Sequence, residues 1–346
     1  MASILEDQIN LKHTTSHRHT VSYHNDWTIG SVLHGGVCLP RSPCRYKPSL
    51  QHASRPAPSR YSHLAFPVLR VCEPRHGTVT IVDLKVGAGT STLQLQPSQS
   101  GRLKVFALAT ATNFDKHVGP AIPTAWRLHP SPRPVPNFDG VLAHQPDEHW
   151  PPAHLAGEIL LINRHRLILN SRDGFPLDGI CDAWNTFTDG ERMDATCLTF
   201  VTDLILSISD TLLRNGGIFD ARASIVKMEK WAEMNPGVPA ELTNSFKEAM
   251  RATAFNQTAT LDTEFKRRLP KEVIRWTFTR SASRMLESGR LDLDVTICDE
   301  KKELLCLARQ VILVLDAKMD LETGRQSLPP SASEIACDAI RVKKAE

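Results

Sequence analysis

The chain has 346 residues, 41% hydrophobic and 23% charged, the composition of a globular protein with room for two domains of ordinary size. Its 41 basic and 38 acidic residues leave a formal charge of +3, too balanced for the basic stripe that neutralises phosphates, so no nucleic-acid partner is expected. The longest apolar runs, residues 159–162 and 311–315, fall well short of the ~18 residues that span a bilayer, so no membrane partner is expected either.

The chain opens Met1-Ala2-Ser3-Ile4-Leu5-Glu6-Asp7, acidic early and without the apolar core of a secretory signal. It closes Lys343-Lys344-Ala345-Glu346, which is not a Ser-Lys-Leu-type tail. The eight cysteines form no CxxC pair. Together these features predict a cytoplasmic protein with free thiols, no metal site and no cofactor. Residues 1–20, rich in histidine but poor in carboxylate, read as a flexible arm.

Strand signals follow in two groups. Residues 78–86 are rich in β-branched types, Gly87-Ala88-Gly89 supplies a turn, and residues 90–96 alternate, with Leu93 and Leu95 on one face. Gly101 opens a further strand through Leu108. The second group has a short strand at 261–265, one at 273–285, an alternating one at 290–298 and a last one at 304–315. In 290–298, Leu291, Leu293, Val295 and Ile297 share one face.

Between the groups, nine prolines in residues 120–152 exclude regular helix or central strand and predict an extended linker. Residues 193–215 carry Leu198, Val201, Ile205, Ile208 and Leu212 at helical spacing, closed by Gly216-Gly217. Residues 241–253 read as a short amphipathic helix. The boundaries implied are an arm at 1–20, a first unit at 21–119 with 37–71 atypical, a Pro-rich linker at 120–157, a second unit at 158–318 and a tail at 319–346.

Several segments in this order carry a family likeness. Asp26-Trp27-Thr28-Ile29-Gly30 and His34-Gly35-Gly36, then Asp83-Leu84-Lys85-Val86-Gly87, then Trp184-Asn185-Thr186-Phe187 running on to Asp203, resemble the TesB-like (acyl-CoA thioesterase II type) thioesterases of the fungal branch. So do Ala259-Thr260-Leu261-Asp262, Trp276-Thr277-Phe278-Thr279-Arg280 and Gly289-Arg290-Leu291-Asp292. The resemblance implies an α+β tandem (double) hotdog, each half a long helix wrapped by an antiparallel sheet. It also implies hydrolysis of an acyl thioester, with acyl-CoA or an acyl-carrier-bound chain as substrate and a homodimer as the assembly.

The family's Asp–Thr–Gln set carries over onto Asp203, Thr260 and Gln310, and its Gly-Gly turn onto His34, Gly35 and Gly36 as substrate-binding residues. A water nucleophile needs a base or orienter, here Asp203, with Thr260 and Gln310 to position it, and backbone N–H groups near a helix start would hold the thioester oxygen, so no covalent enzyme intermediate is required. The alternative is a re-purposed hotdog that binds acyl chains or performs hydration or dehydration. Hydratase-type hotdogs resemble one another in a different Asp/His pair on the helix, and no histidine follows His165, so the second half cannot supply such a pair, which favours hydrolysis.

One stretch departs from the pattern. After Gly36 the family continues into a long apolar helix, but here Pro40, Pro43, Pro48, Pro56 and Pro58 interrupt it. Each would cost a helix interior about 3 kcal/mol or more. Residues 38–70 read as foreign to the pattern, as a shifted reading frame or mis-set splice junction would leave them, with the pattern returning near Cys72.

Overall fold

The computed structural model describes residues 12–15, 17–29, 32–38, 60–87, 89–115, 119–159, 161–188, 193–204, 208–216, 220–249, 251–269 and 274–316. The strands of the first half are β1 (Lys12–Thr15), β2 (Arg18–Val21), β3 (Thr28–Ile29), β4 (Val32–Leu33), β5 (Arg60–Pro67), β6 (Gly77–Lys85), β7 (Thr90–Gln99), β8 (Arg102–Leu103) and β9 (Ala107–Thr112). Those of the second half are β10 (Pro152–Gly157), β11 (Arg166–Asn170), β12 (Ile180–Phe187), β13 (Ala240–Asn244), β14 (Ala254–Phe265), β15 (Thr277–Glu287), β16 (Arg290–Cys298) and β17 (Leu304–Asp316). The helices are α1 (Phe138–Leu142), α2 (Ala195–Asp203), α3 (Ile208–Leu213), α4 (Ala221–Met234) and α5 (Phe246–Ala249).

Among the described residues one sheet runs in the order β1-β2-β6-β7-β9-β5-β14-β17-β16-β15-β12-β11-β10-β13, with β8 paired to β7. Strand β5 is the seam: it pairs antiparallel with β9 of the first half and with β14 of the second. The predicted alternation holds in β7, where Leu93 and Leu95 are buried, and in β16, where Leu291, Leu293, Val295 and Ile297 are. These rows turn inward and join a core with Cys197, Leu198, Phe200 and Val201 of α2, which packs against β14 and β16. The arrangement is the α+β one that the resemblance implies, helix against a wrapping antiparallel sheet, with both halves in a single sheet.

Several expectations need correction. Residues 12–21, read largely as an arm, form the β1–β2 hairpin, and His19 is buried where β2 pairs with β6. Strand β5 begins at Arg60, inside the stretch read as foreign to the pattern. Leu64 and Phe66 of β5 enter the core two apart, while its hydrogen bonds hold the halves together. Of the atypical stretch, residues 39–59 lie outside the described residues. The helix expected over 193–215 is described as two, α2 and α3, because Leu204 leaves helical geometry at φ −94° and ψ 61°. Taken as one stretch, Ala195–Leu213 is apolar and long enough to cross a bilayer, but 73% of that window is buried inside the protein, the position of a core helix.

Residues 241–253 are not a helix: β13 and the one-turn α5 occupy them, because β13 finds a parallel partner in β10. The 14-residue α4 had no sequence expectation, its apolar positions Ala221, Ile225 and Met228 making only a narrow stripe.

The Pro-rich segment is more than a tether. Residues 152–157 of the expected linker are β10, and the preceding part lies over the outer face of the second-half sheet. There Leu128, Phe138, Val141 and Trp150 pack with Leu167, Leu169, Trp184, Trp276 and Phe278 in a second apolar core. Arg280 fastens it, making two 2.7 Å bonds to the Asp182 carboxylate and donating at 2.6 Å to the carbonyl of Pro130. Proline suits the role, since an extended segment lying on a sheet face needs few backbone donors.

Candidate active site

Helix α2 begins at a sound cap: Asp194 Oδ1 accepts the N–H of Cys197 at 2.9 Å. Within it the hydroxyls of Thr199 and Thr202 donate back to the carbonyls of Ala195 and Thr199, so these threonines stay buried without orphan polar atoms. The helix ends on Asp203, whose side chain is 6% exposed.

Three groups converge on that carboxylate. The N–H of Gly36 donates to Oδ2 at 2.8 Å, the hydroxyl of Thr258 donates to Oδ1 at 3.1 Å, and His34 Nδ1 stands 3.4 Å from Oδ2. The His34 contact is one of proximity, since Nδ1 lacks hydrogen-bond alignment with any partner. Gly36 requires its missing side chain. A Cβ there would lie 3.0 Å from the Cα of Phe200 and 3.1 Å from the Cβ of Asp203, and one on Gly35 would lie 2.7 Å from Oδ2. The His34-Gly35-Gly36 turn, expected to touch substrate, is therefore built against the carboxylate.

Burial pushes the Asp203 carboxyl above its ordinary value, with His34, the Gly36 N–H and Thr258 pulling the other way. Burial lowers the His34 imidazole, opposed by Asp203 and assisted by the charge of Arg166. Burial thus favours the neutral imidazole of His34 and makes Asp203 a more basic carboxylate than an exposed one. A carboxylate oxygen has lone pairs beyond those used here, so Asp203 can also accept from a water.

Of the three residues expected to be catalytic, Asp203 ends α2 and Gln310 lies against the residue before it. Gln310 is 1% exposed, and its Nε2 donates at 2.5 Å to the carbonyl of Thr202, the residue before Asp203. Thr260 does not reach the site. It is exposed, lining a groove on the opposite face with Ala65, Pro67 and Arg309. The hydroxyl on Asp203 is that of Thr258 instead. The reason is a bulge: Thr258 pairs with Ile312 and Thr260 with Val311, leaving Ala259 as an extra residue. Before it, Asn256 and Thr258 face inward; after it, Leu261, Thr263 and Phe265 do. That change of parity is the bulge's trace in the sequence. Among the described residues there is no group of three or more His, Cys, Asp or Glu side chains placed to hold a metal.

Comparison with known proteins agrees with this architecture. The family model of the acyl-CoA thioesterase C-terminal domain matches residues 138–314. The thioesterase-like protein TwmA of Talaromyces wortmannii is 24% identical over 354 residues, spanning 96% of this chain and 97% of its own. Two solved structures share the fold. A hot dog fold protein of unknown function from Alicyclobacillus acidocaldarius has a TM-score of 0.63 at 11% identity, over 91% of this chain and 99% of that one. The acyl-CoA thioesterase II TesB2 of Mycobacterium marinum has a TM-score of 0.53 at 14% identity, over 93% and 99%. With the family model covering half the chain and the whole sheet laid out as a double hotdog, the protein belongs to the acyl-CoA thioesterase family, hydrolases of acyl thioesters.

Proposed function

We propose that this protein hydrolyses an acyl thioester, acyl-CoA or a carrier-bound acyl or polyketide chain, with water activated by Asp203. The supporting observation is the buried Asp203 carboxylate held between Gly36 N–H and the Thr258 hydroxyl. Asp203 takes a proton from water as the oxygen attacks the thioester carbon. The tetrahedral oxyanion then collapses with cleavage of the C–S bond, and the thiolate leaves with a proton. Thr258 and Gly36 fix the carboxylate's rotamer. Gln310 is a positioning residue that pins the last turn of α2 through the Thr202 carbonyl.

The test is thiol release from short, medium and long acyl-CoAs. Asp203→Asn should lose on the order of 100-fold or more in kcat, the usual range for a general base. A folded variant with wild-type turnover would sink the assignment.

A second reading, hydration or dehydration of a β-hydroxyacyl thioester, draws support from His34. The Asp/His pair that the second half cannot make alone is made across the halves, 3.4 Å apart. Interconversion of enoyl- and 3-hydroxyacyl-CoA without thiol release, lost in His34→Gln, would favour it.

A further inference from the structure

Strand β11 sends Leu167 and Leu169 into the outer core, so Arg166 turns the other way, to the inner side where Cys181 and Phe187 of β12 lie. Arg166 is 2% exposed. Its Nη1 donates to Asn163 Oδ1 at 2.9 Å and its Nη2 to Asn185 Oδ1, both neutral amides. Asn185 in turn donates to the Thr279 hydroxyl at 3.1 Å, which fixes its amide oxygen toward the guanidinium. The Nε has no partner, and among the described residues no carboxylate pairs with this cation. Two more buried donors on the same inner face lack partners, Asn170 Nδ2 and the Thr277 hydroxyl.

Leaving a cation out of water without a counter-charge costs several kcal/mol, and buried charges are ordinarily paired. Burial alone pulls the Arg166 guanidinium down to about 9. The residue before it, His165, stacks on Trp27, which packs edge-on against Phe200 of α2, and the charge of the cation disfavours protonation of His34. A saturated acyl chain has no atom that could satisfy a guanidinium or these neighbouring donors. An anionic oxygen does, and a guanidinium fork is the group suited to hold one.

We propose that Arg166 is a specificity-determining residue that binds an anionic oxygen on the acyl group, a carboxylate or the enolate of a 1,3-dicarbonyl, with Asn163 and Asn185 holding its fork in place. The substrate class is thus an acidic, oxygen-bearing acyl thioester rather than a plain fatty acyl thioester. This rests on the hydrolase reading above.

The experiment measures thiol release, corrected for spontaneous hydrolysis, from succinyl-, acetoacetyl- and butyryl-CoA, which share a four-carbon acyl group. Wild-type protein should favour succinyl- or acetoacetyl-CoA over butyryl-CoA by at least about tenfold in kcat/KM, the scale of one charged hydrogen bond. Preference for the first alone identifies a carboxylate, for the second alone an enolate. In Arg166→Met, which keeps the stem and removes the charge, the favoured substrate should lose roughly 30-fold or more. On butyryl-CoA, which has no anionic oxygen for the cation to hold, the loss should be at least about tenfold smaller than on the favoured substrate. Arg166→Lys should recover part of the preference. Because the wild-type preference needs no variant, a poorly folding Arg166→Met leaves that decisive arm intact. Butyryl-CoA turned over as well as the charged substrates would overturn the proposal while leaving the hydrolase reading standing. An equal loss on all three substrates in Arg166→Met would overturn it too, making Arg166 an electrostatic support of Asp203. Turnover of none of a full acyl-CoA panel would remove the hydrolase reading itself, and the proposal with it.

Discussion

The backbone N–H of Gly36, in the first half of the chain, donates to the carboxylate of Asp203, in the second half, at 2.8 Å. The candidate site is therefore shared between the halves. Separation of the two halves at β5 would take it apart.

That contact sets the first prediction. In Gly36→Ala the new methyl meets the Phe200 Cα and the Asp203 Cβ, so turn and helix end must separate. Overpacking of this kind costs about 1–3 kcal/mol. The expected result is a lowered Tm together with a kcat reduced by at least about tenfold, since a displacement near 1 Å at a reacting group has that effect or more. Gly35→Ala meets only the movable end of the carboxylate, so it should cost activity with less loss of Tm. Unchanged kcat in both variants would show that the turn does not hold Asp203 for catalysis.

The β14 bulge sets the second. Thr258→Val removes a hydrogen bond to a charged group, typically about 1.5–3 kcal/mol, and should lower kcat about 10- to 100-fold. Thr260→Val, on the exposed outer face, should leave kcat within about twofold. The reverse pattern would mean that the register in solution differs by one residue.

The third concerns pH. With Asp203 as base, kcat/KM should rise with pH through an apparent pKa above the ordinary carboxylate value, because burial favours the protonated acid. Stability should move oppositely. A carboxyl raised in the folded state contributes stability below its unfolded pKa and loses it as pH rises through the folded pKa. Asp203→Asn should thus gain Tm relative to wild type at neutral pH and lose that advantage on acidification. A Tm difference that does not change with pH would contradict the raised value. His34 has the mirror behaviour: lowered by burial, it costs stability as pH falls below the ordinary imidazole value.

The fourth concerns the covering segment. Arg280 and Asp182, 4% and 3% exposed, form a buried bidentate pair on the outer face of the sheet, with Arg280 also bonded to Pro130. Removing one partner leaves the other charge unpaired, so Asp182→Asn should destabilise the protein by about 3–5 kcal/mol. Lying on the sheet face opposite Asp203, the pair should leave kcat at permissive temperature unchanged. Guanidinium denaturation with parallel activity assays checks both halves of that statement.

Much of this was legible in the residues. Alternation marked β7 and β16 because one face of each is buried and the other is not. The apolar stripe around Leu198 and Val201 marked α2 for the same reason, and the family motifs singled out Asp203 and Gln310, which lie at the end of α2 and against its last turn. Strand β5 was hidden behind the prolines that precede it, and α4 because its buried stripe is narrow. Sequence alone determined which side chains are available to the chemistry: a carboxylate in an apolar helix, a glutamine in an apolar strand and a Gly-Gly turn far from both. Only the tertiary structure decided which of them meet. An extra residue at Ala259 reverses which threonine faces inward, and the seam at β5 brings Gly36, with His34 beside it, to Asp203 across 167 positions of chain. Register and long-range approach depend on pairing energies summed over whole strands, which no local pattern of residues contains.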